Sequence, residues 1–260
     1  MATLGRSLSV LAYSESKVGK TTLCNTAPAP RLILDAEMAS RFLPGNQVRW
    51  NPHTEPPPVA DGTWETCIVV VRDYATILRV VAWLESGQHP FESVCIDSIS
   101  EIQKRLRDQV TDFTGEMDQK RWGELLMHME ALVRKLRDLT EHPTKPLTAV
   151  VITAMTELRD GKWRPLVQGA LRDTLPYFVD ICGYVFVQQM PSEDPTQPGP
   201  EIRRMLTRPN AQFVAGERVQ GRIPQYVDGD AVNISVLLDM VFGPEDVPAP
   251  AAVVDPAQVQ

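Results

Sequence analysis

The chain has 260 residues, 43% hydrophobic and 23% charged, with a formal net charge of −7. That length supports one sizeable core rather than two comfortable domains, and the acidic balance argues against a protein that coats duplex DNA by bulk electrostatics. No apolar run approaches the roughly 20 residues of a spanning helix, no basic-then-apolar leader opens the chain, and Cys24, Cys67, Cys95 and Cys182 lack metal-site spacing. A cytoplasmic protein with reduced core thiols and no membrane partner is expected.

Leu8 to Tyr13 is apolar and halts at a polar turn, and from Thr21 the chain can enter a helix, giving strand, loop, helix. Leu32 to Leu34 forms a second strand ending in Asp35-Ala36-Glu37. Cys67 to Val71 forms a third, rich in β-branched residues, after the Pro-rich connection Asn51 to Gly62. Tyr74, Ile77, Leu78, Val81 and Leu84 repeat at helical spacing, and Val94-Cys95-Ile96 leads into Asp97-Ser98. Two amphipathic helices follow, one marked by Ile99, Ile102, Leu106, Val110 and Phe113, the other by Trp122, Leu125, Leu126, Met129, Leu132, Val133 and Leu136. Thr148 to Thr153, Ile181 to Val187 and Ile202 to Thr207 read as later strands, the last two separated by the loop Pro191 to Pro200, and Val232 to Val241 reads as a final helix. This alternation predicts an α/β fold, a mostly parallel sheet with helices on both faces and a ligand site at the carboxyl ends of its strands. Residues 1–244 form the expected domain, and the Pro/Ala-rich 245–260 has too few large apolar groups to offset ordering entropy and is expected to be a disordered tail.

The segment Ser14-Glu15-Ser16-Lys17-Val18-Gly19-Lys20-Thr21-Thr22 matches GxxxxGK[ST], with Ser14 in place of the first glycine. Such a loop needs Gly19 so that the backbone can approach a phosphate, Lys20 as the mobile charge for the β- and γ-phosphates, and the Thr21 hydroxyl for Mg²⁺. The tripeptide alone is weak; the flanking strand and helix make it an ATP site. Lys17 reads equally as a phosphate contact or a solvated charge. Asp97 closes an apolar strand, where a lone aspartate is more often a turn residue, but with the loop upstream the Mg²⁺ role is the better reading. Glu37, at another strand end, is placed to activate water or simply to start a helix.

Leu34-Asp35-Ala36-Glu37 after the phosphate loop, followed by Ile96-Asp97-Ser98, resembles the RecA core, and more closely the compact phage RecA-like ATPases of the single-strand-annealing and recombination type. The likeness takes in Tyr13 to Thr22, Asp35 to Glu37, Ile96 to Glu101, Thr153 to Glu157, Arg164-Pro165 through Gly169, Asp180, Gly183-Tyr184, and Ala215-Gly216-Glu217-Arg218 before Gly221-Arg222. It implies a RecA-like P-loop NTPase core in which Lys20 and Thr21 bind phosphate and Mg²⁺, Asp97 holds Mg²⁺, and Glu37 is the catalytic carboxylate. It also implies Arg218 reaching a neighbour's γ-phosphate in a homo-oligomer, single-stranded DNA as partner, and a single-strand-binding protein as a further one. A phage-encoded chain would work in the host cytoplasm.

The pattern departs in two places: the strand-end polar sensor is replaced by Ala154 or Met155, leaving Thr153 or Thr156, and the lysine before the acidic-Arg pair is Gly216. Slow hydrolysis is expected. Arg203, Arg204, Arg208, Arg218 and Arg222 form a basic stretch, and the loop Gln168 to Tyr177, with Arg172, Tyr177 and the adjoining Phe178, lies where RecA relatives contact DNA. A solvated sheet edge and core packing account for the same residues. Alternative readings are an ATP-gated assembly protein with little turnover and a P-loop small-molecule kinase, although no Arg-rich lid is evident; a partition-type ATPase would need a lysine where Glu15 stands.

Overall fold

The computed structural model describes residues 5–192 and 196–243. The tail expected at 245–260 and the middle of the loop Pro191–Pro200 lie outside them. In chain order the elements are β1 (Leu8–Ser14), α1 (Lys20–Cys24), β2 (Arg31–Asp35), β3 (Gln47–Arg49), β4 (Thr66–Val70), α2 (Tyr74–Glu85), β5 (Ser93–Asp97), α3 (Ile99–Val110) and α4 (Gln119–Asp138). There follow β6 (Ala149–Arg159), β7 (Lys162–Pro165), α5 (Leu171–Thr174), β8 (Ile181–Gln189), β9 (Glu201–Leu206), β10 (Gly216–Glu217), β11 (Tyr226–Asp228) and α6 (Ile234–Phe242).

Strands β1, β2 and β5 are buried at every position, the condition of strands covered on both faces. Seven strands, in the order β8-β1-β6-β5-β2-β4-β3, run parallel, and β9 and β11 extend the β8 edge antiparallel. The strand period of two divides the core. Leu11, Tyr13, Leu34 and Ile96 face the layer of α2, α3 and α4, with Ile77, Ile102 and Met129 among its buried residues. Val10, Ala12, Ile33 and Cys95 face the opposite layer, where Leu23 and Cys24 of α1 and Leu237 and Leu238 of α6 pack. The predicted α/β architecture is therefore the observed one, and all four cysteines are free and buried.

Asp73, Ser98, Asp118 and Asn233 each cap the helix that follows by accepting a backbone N–H. The five-residue α1 has no such cap and is far below the roughly 12 residues at which an isolated helix becomes even marginal. Its burial against β1, β5 and β6 holds it.

Three details differ from the sequence reading. Phe113 falls past the end of α3 with φ 61 and is 83% exposed, and Trp122 and Leu78 also face solvent in part, so none of them belongs to its helix's core stripe. The strand predicted to end at Thr153 continues to Arg159, because beyond the parallel sheet it pairs antiparallel with β7. Asp160-Gly161 makes the two-residue turn of that hairpin, both at positive φ, and this Asp-Gly pair was the sequence signal for it.

His89, in the loop between α2 and β5, is buried with both ring nitrogens unpartnered among the described residues, stacked on Phe91 and edge-on to Trp83. Burial first, then the charge of Lys145 and the neighbouring His142, push its pKa down to about 4 from the ordinary 6.5. The fold thus favours the neutral ring: its contribution is fully present above pH 6.5 and is lost as pH falls through about 4. His89→Leu should flatten the stability profile across that interval. Urea midpoints measured for both chains at several pH values check it, and parallel profiles would remove His89 as the cause.

Candidate active site

The carboxyl end of β1 runs straight into the phosphate loop. Ser14 is its last extended residue and is 1% exposed, so the position makes no demand for a left-handed backbone and serine is accommodated without strain. The Ser14 hydroxyl donates to the Glu15 carbonyl at 2.8 Å and accepts from Lys20 Nζ at 3.3 Å. Gly19 is the position that requires glycine: its φ is 100, and a β-carbon there would lie 2.9 Å from Arg203 Nη1. Glu15, Ser16 and Lys17 are exposed on the outer turn, Val18 is half-buried, and Thr22 points to solvent from α1.

Lys20 is buried, and its ammonium meets neutral oxygens alone, Ser14 O, Ser14 Oγ and Glu15 O, at 3.1–3.4 Å. Removing a charge from water costs several kcal/mol unless an opposite charge offsets it, and no carboxylate of the described residues pairs with this one. Such a cation suits an anionic ligand better than it suits the free fold.

The acidic side of the site is assembled by three neighbouring strands. Asp97, at the end of β5, is fully buried; Thr21 Oγ1 donates to its Oδ2 and Thr153 Oγ1 to its Oδ1, each at 2.6 Å. Its pKa is raised, chiefly by burial, with the two hydroxyls opposing and Glu37 and Asp35 adding to the rise. The Ala36 and Glu37 amides donate to the Asp97 carbonyl at 2.7 and 3.3 Å, tying the end of β2 to the end of β5. Across the cis Asp97–Ser98 bond, Ser98 Oγ donates to Glu37 Oε1. Asp35 accepts from the Ala39 and Ser40 amides and the Ser40 hydroxyl, so it is consumed by its own turn, whereas Glu37 stays half-exposed. Arg105 fastens this corner by donating to the Ala36 carbonyl at 2.8 Å.

Lys20, Thr21, Asp97 and Glu37 therefore meet in one place, and Arg218 does not join them. Its amide donates to the Asp180 carbonyl and its guanidinium to the Tyr177 carbonyl, while Asp180 pairs with Ser9 near the start of β1. Ser9 lies five residues, roughly 16 Å of strand, before Ser14, so Arg218 occupies the opposite end of the sheet. The basic stretch is likewise dispersed: Arg204 pairs with Asp228 and lies over Tyr226, Arg222 donates to the Val241 carbonyl, and Arg203 reaches the phosphate loop. Arg172 pairs with Glu157 at 3.0 Å, Phe178 packs on the core beneath Arg134 and Arg137, and Tyr177 is 74% exposed. At the sensor position Ala154 is buried and the Met155 amide donates to Ser100 Oγ; Thr156 faces the Arg164 carbonyl. The sequence reading did not give Ser98 and Arg203 their places here; a hydroxyl beside an acidic strand end and the alternation along β9 were the available signals.

The AAA domain family matches residues 6–219, from just before β1 through β10. The chain belongs to the AAA domain family. The match makes this an AAA-type P-loop ATPase domain, and it encloses the loop Ser14–Thr22 together with Glu37 and Asp97. No curated protein matches the chain. Among solved structures, this AAA domain aligns with a prototypical ATPase from the type III secretion system of pathogenic bacteria at 15% identity and a TM-score of 0.40. The alignment covers 69% of this chain and 52% of that one, about half of that protein's length.

Two consequences can be measured. Lys20→Ala should weaken nucleotide binding by roughly 100-fold or more, charged hydrogen bonds being worth about 1.5–3 kcal/mol each, while leaving the fold intact; equal affinity by calorimetry would overturn the loop assignment. Asp97 has a raised folded pKa, so its contribution is complete below the ordinary 3.8 and is lost as pH rises through the raised value. Asp97→Asn should therefore raise the thermal midpoint of the nucleotide-free protein at pH 7, and a lowered midpoint there would contradict this account.

Proposed function

We propose that this domain binds Mg-ATP, hydrolyses it, and uses the cycle as a RecA-like homo-oligomer on single-stranded DNA, in recombination or annealing of the phage type. The observation that carries the ATPase reading is the continuous chain from the loop to the candidate base: Thr21 on Asp97, Asp97 joined to Ser98, and Ser98 on Glu37. Lys20 fits the phosphates because its buried charge has no carboxylate partner among the described residues. Thr21 Oγ1 and Asp97 Oδ2 fit magnesium as adjacent oxygen donors. Among the described residues no cluster of three His, Cys, Asp or Glu could hold an ion unaided, which accords with a metal held jointly with phosphate oxygens and water.

When bound, magnesium would polarise the phosphoryl oxygens and neutralise developing charge. Thr21 and Asp97 would orient it from the protein side. Glu37 would accept the proton of the attacking water, its rotamer fixed by Ser98 through one oxygen. Arg218, at the far end of the sheet, enters this scheme only across a subunit boundary, where it would meet a neighbour's phosphates.

The DNA part rests on the resemblance to phage RecA-like ATPases and on exposed Tyr177, to which bases could stack. A single-strand-binding protein is the expected accessory partner. A second reading, ATP-gated assembly with little turnover, draws support from the sensor position, where Ala154 and Met155 offer no polar side chain to a γ-phosphate and Thr153 is already bound to Asp97.

Glu37→Gln should keep nucleotide affinity and lower kcat by roughly 100-fold or more, the scale of a general base; a wild-type rate would remove Glu37 from the mechanism. ATP turnover by the intact protein should rise when single-stranded DNA is added, with a DNA affinity that falls as salt rises. Turnover indifferent to DNA, with no affinity at low salt, would overturn the DNA reading and leave ATP-gated assembly.

A further inference from the structure

Arg203 was grouped by sequence with a basic stretch suited to nucleic acid, yet its position in the fold separates it from that group. It pairs across the hairpin with Val187, whereas β1 pairs with β8 only as far as Tyr184. Val187 is three residues, roughly 10 Å, beyond that point, so the β8–β9 hairpin projects past the end of β1 and stands beside the phosphate loop. Alternation puts Arg203 on the same face as Met205, in the layer of α1 and α6 where Val18 also packs, while Arg204 takes the other face.

The side chain then lies against the loop. A β-carbon on Gly19 would be 2.9 Å from Arg203 Nη1 and 3.8 Å from its Cδ. The second terminal nitrogen donates to the Val232 carbonyl at 2.8 Å, which aims the fork. Unlike Arg204, with its bidentate bond to Asp228, Arg203 forms no ion pair among the described residues; burial lowers its pKa, and Asp230 offsets this from a distance. Gly19 is thus flanked by two cations, Lys20 and Arg203, neither in an ion pair with a carboxylate among the described residues, and a half-buried guanidinium of this kind is stabilised by a bound anion.

We infer that Arg203 is a nucleotide-binding residue acting within its own subunit, a second cation for the diphosphate portion shared by ADP and ATP, and not part of a DNA-binding face. The inference rests on the nucleotide reading of the loop. It assigns Arg203 to the diphosphate because the guanidinium lies against Gly19, on the loop's β9 side, while Asp97 and Glu37 occupy the side of β5 and β2. ADP and ATP should therefore depend on it equally.

The test is calorimetric titration of the full chain with ADP and with ATP at low and high salt, using wild type, Arg203→Gln, Arg203→Lys and Lys20→Ala. Arg203→Gln should weaken both nucleotides by about 10-fold, the scale of one charge-assisted hydrogen bond, with a shallower salt dependence, and Arg203→Lys should recover part of the loss. Unchanged affinity in a folded Arg203→Gln, or a loss confined to ATP, would overturn the inference, as would reduced affinity for single-stranded DNA with nucleotide binding intact. If Arg203→Gln does not fold, Arg203→Lys decides: unaltered affinity and salt slope in that variant would refute the guanidinium contact. Wild-type affinity in Lys20→Ala would instead refute the nucleotide reading itself.

Discussion

Asp97 is held at the end of a central strand with no exposed surface, and each of its oxygens is taken by a threonine hydroxyl from a different element, Thr21 from the loop helix and Thr153 from the adjacent strand. A carboxylate in that position raises the free energy of the fold unless hydrogen bonds and a cation offset the loss of water. The surrounding construction follows from that constraint. Strand β6 lies between β1 and β5, so Thr153 is adjacent to Asp97, while α1 brings Thr21 across from the far side. The backbone amides at the end of β2 tie Glu37 to the Asp97 carbonyl. The three acidic residues and the loop are thus fixed relative to one another by the order of strands in the sheet, and the loops connecting them have little to determine.

The part of this arrangement legible in the sequence was the part written locally. Apolar runs ending in Ser14, Asp35 and Asp97 gave the strands and their polar ends, and GKT after a strand gave the loop. These signals rest on spacing within about ten residues. Strand order is a tertiary property, so nothing local said that Thr153 would meet Asp97, Ser98 would meet Glu37, or Arg203 would stand over Gly19. Capping also obscured function: Ser98 accepts the Glu101 amide as a helix cap while donating to Glu37, and its local role alone explains a serine there. Phe113 and Leu78 misled for the converse reason. Helical periodicity continued through them, whereas the solvent boundary was set by where α3 ended and by what lay opposite α2.

The basic residues between 203 and 222 illustrate how a charge run in sequence dissolves in a sheet. Successive positions on β9 point to opposite faces, so Arg203 and Arg204 have no common surface, and the intervening hairpins carry Arg218 and Arg222 to the amino end and to α6. A single positive face would need residues at alternate positions, and this stretch has Met205 where the next would fall. The DNA contacts of the proposed function must accordingly come from surfaces assembled between subunits or from the exposed segment at Tyr177, not from this run as a unit.

Charge in the site is sorted by strand position. Cations Lys20 and Arg203 lie toward β9, the carboxylates of Asp35, Glu37 and Asp97 lie toward β2, and Thr21 stands at the junction with its hydroxyl committed to Asp97. Asp35 is satisfied by its own turn and contributes only its field, which raises the pKa of Asp97. On the carboxylate side the like charges of Glu37 and Asp35 raise the pKa of Asp97, and this cost is borne by the free protein. A triphosphate with a divalent cation has the complementary polarity, negative toward the loop and positive toward the carboxylates, so it would offset the carboxylate repulsion while pairing with Lys20 and Arg203. For the groups proposed to hold the ligand itself, nucleotide affinity and the stability of the free fold would thereby be opposed: neutralising Lys20, Arg203 or Asp97 would relax the free protein and weaken the bound one, whereas Glu37, which faces the attacking water, lies outside this trade.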